Sequence, residues 1–284
     1  MARFNGWRAL AVLVLSFSLP LGHSPAHAED AVAPAAGSSG QNPGRDALRG
    51  VRTLGSDAWT IFSSPARLDR TGAAWLAGTA LVTAVVYNND EAISRAFRRQ
   101  HGDPVYDAVL KLGNNIEPIG YMGRMAPYYV GALGLGYAFR NRPLTVIPGQ
   151  IIESHIIAGG VRNLSKVLVG RRRQFENRGA RDFSLDGGTS FPSGHTSIAF
   201  EIATIVSSHA GRWPVTVSSY ALATTVAMQR VDSGNHWASD VLVPAVTGSF
   251  IAKTIVQRHE ERVWAIVPSF APDGATGLQL VVAF

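Results

Sequence analysis

Apolar and polar positions repeat with a helical period from about Leu54 to about Arg262. An amphipathic stretch over 54–67 leads into an uncharged run from Thr71 to Asn88, and a charged helix follows from Asp90 to Arg99. Further helices are predicted over 105–113, 124–140, 144–168, 195–210, 213–230 and 236–257. The breaks between them carry residues that stop a helix: Gly102-Asp103-Pro104, Asn141-Arg142-Pro143, Gly170, Gly187-Gly188, Gly211 before Trp213-Pro214, and Ser233-Gly234-Asn235. The pattern changes after that. Val263 to Ser269 and Leu278 to Phe284 are β-prone runs around Ala271-Pro272-Asp273-Gly274, the pattern of a hairpin. The predicted fold class is therefore all-α: a helical bundle over 51–262 with a short C-terminal β-hairpin over 263–284. No internal repeat of fixed period is visible.

The N-terminal pattern is of another kind. Arg3 and Arg8 precede an apolar run from Ala9 to Leu21, and Ala26-His27-Ala28 is a small-x-small cleavage site, so residues 1–28 read as an export signal peptide. Residues 29–50, rich in Ala, Gly, Ser and Pro, read as a flexible linker. Of the apolar helices, 71–88 reaches roughly the lower limit for crossing a bilayer. Glu153, His155 and Glu201 interrupt others. If three helices crossed after a cleaved signal, the basic stretch beyond Ser165 would face the cytoplasm, which suits an exported enzyme poorly. The expectation is an exported domain of the cell envelope, periplasmic and either soluble or membrane-attached, with an integral inner-membrane form as the alternative.

Composition narrows the chemistry. Of the 284 residues, 46% are apolar and 16% charged, which excludes a disordered chain and implies a heavily buried helical domain or a membrane domain. The absence of cysteine excludes zinc fingers, iron–sulfur clusters, disulfide scaffolds and thiol nucleophiles. The formal charge is +6, and losing residues 1–28, which hold two arginines and no acid, lowers it to +4. That is a modest excess, suited to an anionic substrate or membrane surface.

Three segments carry candidate chemistry. The first is Lys166-Val167-Leu168-Val169-Gly170-Arg171-Arg172-Arg173-Gln174, in which an ammonium and a forked guanidinium flank a helix end and match the oxygens of a phosphate. Alone it reads more readily as a solvated basic face or a cytoplasmic positive cluster. The second is Ser190-Phe191-Pro192-Ser193-Gly194-His195-Thr196-Ser197, in which Pro192 and Gly194 make a tight turn into an apolar helix. A helix N-terminus offers unpaired amides to an anion, Ser193 or Thr196 can cap it, and His195 sits at its rim in range for acid–base work. The third runs from Arg230 through a Ser-Gly-Asn turn to His236 and Asp240. If His236 opens a helix, Asp240 lies one turn on along the same face and can take the hydrogen of one imidazole nitrogen, leaving the other to attack.

Taken together and in this order, the segments resemble the signature of the type 2 phosphatidic acid phosphatase (PAP2) family, which also holds bacterial acid phosphatases and vanadium haloperoxidases. The family pattern, K-x6-R-P, P-S-G-H and S-R-x5-H-x3-D, is matched over about residues 70–258, with Gln174 in place of the proline and Gln229 in place of the serine. The resemblance implies His236 as a nucleophile forming a phosphohistidine, Asp240 as its orienting partner, and His195 as the acid for the leaving oxygen. It implies Lys166, Arg173, Arg230, Ser193 and the Gly194 amide as holders of the phosphoryl oxygens. No carboxylate cluster suited to a metal is apparent, so neither metal nor cofactor is expected. The expected substrate is a lipid phosphate or pyrophosphate, or in the alternative a small soluble phosphoester, with membrane association; a vanadium haloperoxidase is a further alternative. A non-catalytic anion-binding patch over 170–181 is also open, though no nucleic-acid-binding motif accompanies it. Arg171 and Arg172 are read as solvated surface, with a headgroup contact by one of them as the alternative; Trp237 is read as packing, and Glu117 lies in turn-rich sequence with no partner the sequence names.

Overall fold

The computed structural model describes residues 43–184, 186–261, 264–270 and 276–282. The expected signal peptide and the first part of the linker lie outside them. Helix α1 spans Pro43–Ser63, so the last part of the stretch read as linker is helical. Then come α2 (Arg70–Asn88), α3 (Asp90–Arg98), α4 (Pro104–Ile116), α5 (Met122–Ala138), α6 (Arg142–Val169), α7 (Gly194–Ala210), α8 (Trp213–Asp232) and α9 (Ala238–Glu261). Beyond α9, the backbone segments Trp264–Phe270 and Thr276–Val282 run antiparallel, while 271–275 between them lie outside the described residues.

The helix ends follow from local chemistry. Asp69, Asp103, Asn141 and Ser193 each accept a backbone N–H in the first turn of the following helix, meeting donors that no helix satisfies by itself. Gly170 and Gly211 end α6 and α7 at φ 58° and 60°, where a side chain would be strained.

Helices α7, α8 and α9 form the centre. Ala199, Phe200 and Ala203 of α7 pack against Ala223, Val226, Ala227 and Val231 of α8 and Val241 and Ala245 of α9. Alanines let the helix backbones approach closely, and because α7 is surrounded it buries residues on every side, polar ones such as Ser197, Glu201 and Thr204 included. A second layer joins Tyr129 of α5 and Ile151 of α6 to Ile205, Ala252 and Val256. A third joins Ile61 of α1 to Ile157 and Ile255. The outer helices are different. Among the described residues α2 buries no side chain, and Trp75, Leu81 and Val85 on it and Tyr128 and Val130 on α5 are exposed. By length and composition α6 and α9 are long and apolar enough to cross a membrane.

The acids inside apolar helices are paired. Glu201 of α7, wholly buried, meets His155 Nδ1 at 2.6 Å and accepts from Arg162 Nη1 at 2.7 Å and Ser197 Oγ at 2.7 Å. Glu153 lies 3.0 Å from His259 Nε2, which also lies 3.4 Å from the buried Asp57 of α1. Arg258 donates to the other oxygen of Asp57. This knot fastens α1 to the bundle. Asp57, Glu153 and His259 also have the donor set and spacing of a metal site. Burial opposes a charge on His259, but the two carboxylates outweigh it and push its pKa up to about 9, so at neutral pH the ring is an imidazolium within an ion-pair cluster.

A folded pKa above the unfolded one adds stability that is complete below about pH 6.5 and is lost as pH rises through about 9. Thermal unfolding should therefore occur at lower temperature at pH 10 than at pH 6.5, by about 2 kcal/mol of stability after allowance for solvent screening. In His259→Gln that dependence should be largely gone.

Candidate active site

The site is built on the loop that follows Gly170. Its backbone folds back on itself so tightly that a side chain at Gly188 would fall 1.9 Å from the Gly170 carbonyl. Ser190 N–H donates to the Arg171 carbonyl (2.9 Å) and Ser184 N–H to that of Gly170 (2.6 Å), closing a hairpin-like loop between α6 and α7. Arg171 turns inward. Its guanidinium is buried and donates to Asp240 Oδ1, Ser239 Oγ and Asp90 Oδ2, each at 2.7 Å, and to the Ala180 carbonyl. The rings of Tyr87, Phe183 and Trp237 surround it at 5.1–5.8 Å. The expectation of a surface arginine is thus corrected, and a single basic patch over 170–181 is lost with it. A charge this deep is tolerable because carboxylates meet it.

His236 lies in the turn before α9, not within it. The expected one-turn stacking on Asp240 therefore fails. Instead His236 Nδ1 meets the Ser190 carbonyl at 2.7 Å, and Asp240 accepts from Ser190 Oγ, from Arg171 and from Trp237 N–H at 3.0 Å. Asp240 caps α9 and holds Ser190, and Ser190 holds the histidine. Burial raises the Asp240 carboxyl, while Arg171, Ser190 and the Trp237 amide draw it back. Burial, then Arg173, Arg230 and Lys166, keep His236 well below the ordinary imidazole range. With Nδ1–H donated to Ser190, the neutral ring keeps its lone pair on Nε2.

The same cations act on His195, in the first turn of α7. Burial, Arg230, Arg173 and Lys166 lower its pKa to about 4 against the opposing pull of Glu117. Lys166 is itself lowered, first by burial and then by Arg173 and Arg162. Arg173 is aimed by Thr189 Oγ1 (3.2 Å) and Asn235 Oδ1 (3.1 Å). Arg230 meets Glu117 Oε1 at 2.9 Å, and its Nε is buried without a hydrogen-bond partner. Ser193 is wholly buried: its hydroxyl accepts from Thr196 and its N–H donates to the Asp240 carbonyl at 2.9 Å. Its hydroxyl oxygen thus serves the helix cap. The Gly194 and His195 amides lie ahead of the first intrahelical bond, Ser197 N–H to Ser193 O, with open space over Gly194.

The structure thus brings Lys166, Arg173, Arg230, His195 and His236 into one electrostatic neighbourhood. It adds residues that the sequence did not mark: Arg171, Asp90 and Ser190 as framework, and Glu117 at the site itself. Asp90 stands at the start of a charged helix, a signal of capping but not of which helix it caps; its carboxylate receives Ser239 N–H in the first turn of α9. The two departures from the family pattern have places. The Gln174 side-chain amide lies 3.2 Å from the Val231 and His236 carbonyls and 2.6 Å from Arg98 Nη1, so that its nitrogen, turned towards the two carbonyls, donates to both while its oxygen accepts from Arg98. Gln229 donates to Asn114 Oδ1 at 2.9 Å, tying α8 to α4.

A family model described as the PAP2 superfamily matches residues 147–264. A lipid A 1-phosphatase of Porphyromonas gingivalis is 32% identical over 128 residues, 42% of this chain and 25% of that protein; the chain thus spans about a quarter of the length of this curated relative. The crystal structure of Aquifex aeolicus LpxE aligns over 59% of this chain and 94% of that one, at 19% identity and a TM-score of 0.43.

Arg171→Met should destabilise the domain by about 3–5 kcal/mol, because it strands the carboxylates of Asp90 and Asp240 in the interior. Denaturant unfolding measures this; a loss under 1 kcal/mol would mean that the framework rests on other contacts.

Proposed function

We propose that this chain, whose residues 147–264 match the PAP2 superfamily model, is a phosphatase acting on a phosphorylated lipid of the cell envelope. The observation that carries the reading is a neutral, buried His236, oriented through Nδ1 by the Ser190 carbonyl and lying in the field of Arg173, Arg230 and Lys166. A neutral imidazole is a nucleophile, and three fixed cations suit the charge of a phosphoryl group in transfer.

In this reading Arg173, Arg230, Lys166 and the Gly194 amide hold the phosphoryl oxygens. His236 Nε2 attacks phosphorus as the bond to the leaving oxygen breaks, and His195 gives that oxygen its proton. The phosphohistidine is then cleaved by water, whose proton His195 takes, and inorganic phosphate leaves. Asp240 acts through Ser190 and Arg171, as a positioning residue. No step calls for a metal or cofactor.

The surroundings favour a lipid over a soluble ester. Val167 and Leu168, beside Lys166, are 70% and 67% exposed, and Phe175, 57% exposed, lies under Arg173. Tyr121 stacks on His195 with ring centroids 6.2 Å apart. Phe175 and Tyr121 thus set apolar surface against Arg173 and His195, an arrangement suited to a phosphate that carries an acyl or prenyl chain. The exposed faces of α2 and α5 support attachment to a membrane surface, and the predicted signal peptide supports export, with the C-terminal hairpin an appendage outside the chemistry. One observation favours the soluble-ester alternative, a broad acid phosphatase: His195, with a pKa of about 4, is charged only in acid while the site is empty.

The test is phosphate release in EDTA from phosphatidic acid, an isoprenyl diphosphate and p-nitrophenyl phosphate. The lipids should be preferred, and His236→Ala should lower turnover by at least a thousandfold. Activity surviving that change would sink the mechanism, and preference for p-nitrophenyl phosphate would favour the acid phosphatase. On the alkaline side, kcat/KM should fall as pH rises above about 4, because the free enzyme then loses the His195 proton. The corresponding fall in kcat should lie at higher pH, since bound substrate offsets the cations.

A further inference from the structure

The 3-10 turn Glu117–Gly120, between α4 and α5, is pressed against the start of α7. A side chain at Gly120 would come within 2.9 Å of the Cα, Cβ and carbonyl oxygen of His195, so glycine alone lets the turn sit this close. That approach brings Glu117 Oε1 to 2.9 Å from His195 Nε2 and 2.9 Å from Arg230 Nη1. These are two of the groups that the proposed reaction needs, one for the leaving oxygen and one for the phosphoryl group. A carboxylate offers a guanidinium much the same pair of oxygens as one face of a phosphate. The carboxylate does not fill the place completely, because Arg230 Nε is left buried and unpartnered. An anion with a third oxygen and a second charge has more to gain there than a carboxylate has.

We propose that Glu117 is the resident anion of the phosphoryl site, holding Arg230 and His195 while the site is empty and yielding them to substrate. It is thereby a specificity-determining residue. A dianionic phosphate displaces it readily, whereas a singly charged anion, such as a phosphodiester or a carboxylate, gains too little to do so. The inference rests on the phosphatase reading for the identity of the anion, and its geometry stands apart from turnover. The charged groups facing the pair are Arg230 from α8, Lys166 from α6 and Arg173 from the loop after it, and Tyr121 covers the His195 ring. Glu117 is thus the acidic group set among three cations.

The experiment is calorimetric titration of the full chain, in EDTA, with inorganic phosphate and with dimethyl phosphate, a monoanionic diester. Glu117→Gln, which keeps the shape and removes the charge, should bind phosphate roughly tenfold tighter than the unaltered protein, a partly exposed ion pair being discounted for solvent. Its preference for phosphate over dimethyl phosphate should narrow. Glu117→Ala should show the same gain, and since a damaged fold weakens binding, a gain cannot come from misfolding. If the unaltered protein binds phosphate and both variants bind it equally or less well, the inference fails and the phosphatase reading stands. If none of the three binds phosphate, both fail.

Discussion

The buried charge of Arg171 is the constraint on which the rest of the site depends. A guanidinium cannot be kept from water without acceptors on several sides, and here they come from three separate parts of the chain. Asp90 belongs to the start of α3, Ser239 and Asp240 to the first turn of α9, and Ala180 to the loop itself. Satisfying one charge therefore fixes the position of the loop, of α3 and of the turn that carries His236. The aromatic rings of Tyr87, Phe183 and Trp237 close the remaining sides.

From that framework the histidine is oriented at second hand. Arg171 and Ser190 both hold Asp240, and the carbonyl of Ser190 holds His236 Nδ1. A backbone carbonyl fixes the tautomer as a carboxylate does, with less pull on the ring proton. The cations nearby act in the same direction, since each disfavours a positive imidazole. The result is a pair of neutral histidines amid positive charge, an arrangement at rest only when an anion is present. Glu117 is the anion supplied by the chain itself.

The outer helices show a second imbalance, of apolar surface rather than charge. Leucine, valine and aromatic side chains of α2 and α5 face outward, and Phe175 lies against Arg173 of the site. Water is a poor neighbour for both surfaces, and a lipid carrying a phosphate would satisfy both together.

The helices were legible in the sequence because their punctuation is local: Asp103, Asn141 and Ser193 cap the helices they precede, and Gly170 and Gly211 end helices where a left-handed residue is needed. Lys166, Arg173, His195, Arg230 and His236 were legible as a set, by their order and spacing. What the spacing of His236 and Asp240 did not give was their relation, since it assumed a helix that begins two residues later, at Ala238. Arg171 and Arg173 look alike in a run of three arginines, and only the folded loop turns one inward to Asp90 and Asp240 and leaves the other for the site. Glu117 carries no local mark at all. Its role depends on Gly120 meeting α7 across 75 residues of chain, and such an approach is decided by the packing of helices, which no local pattern encodes.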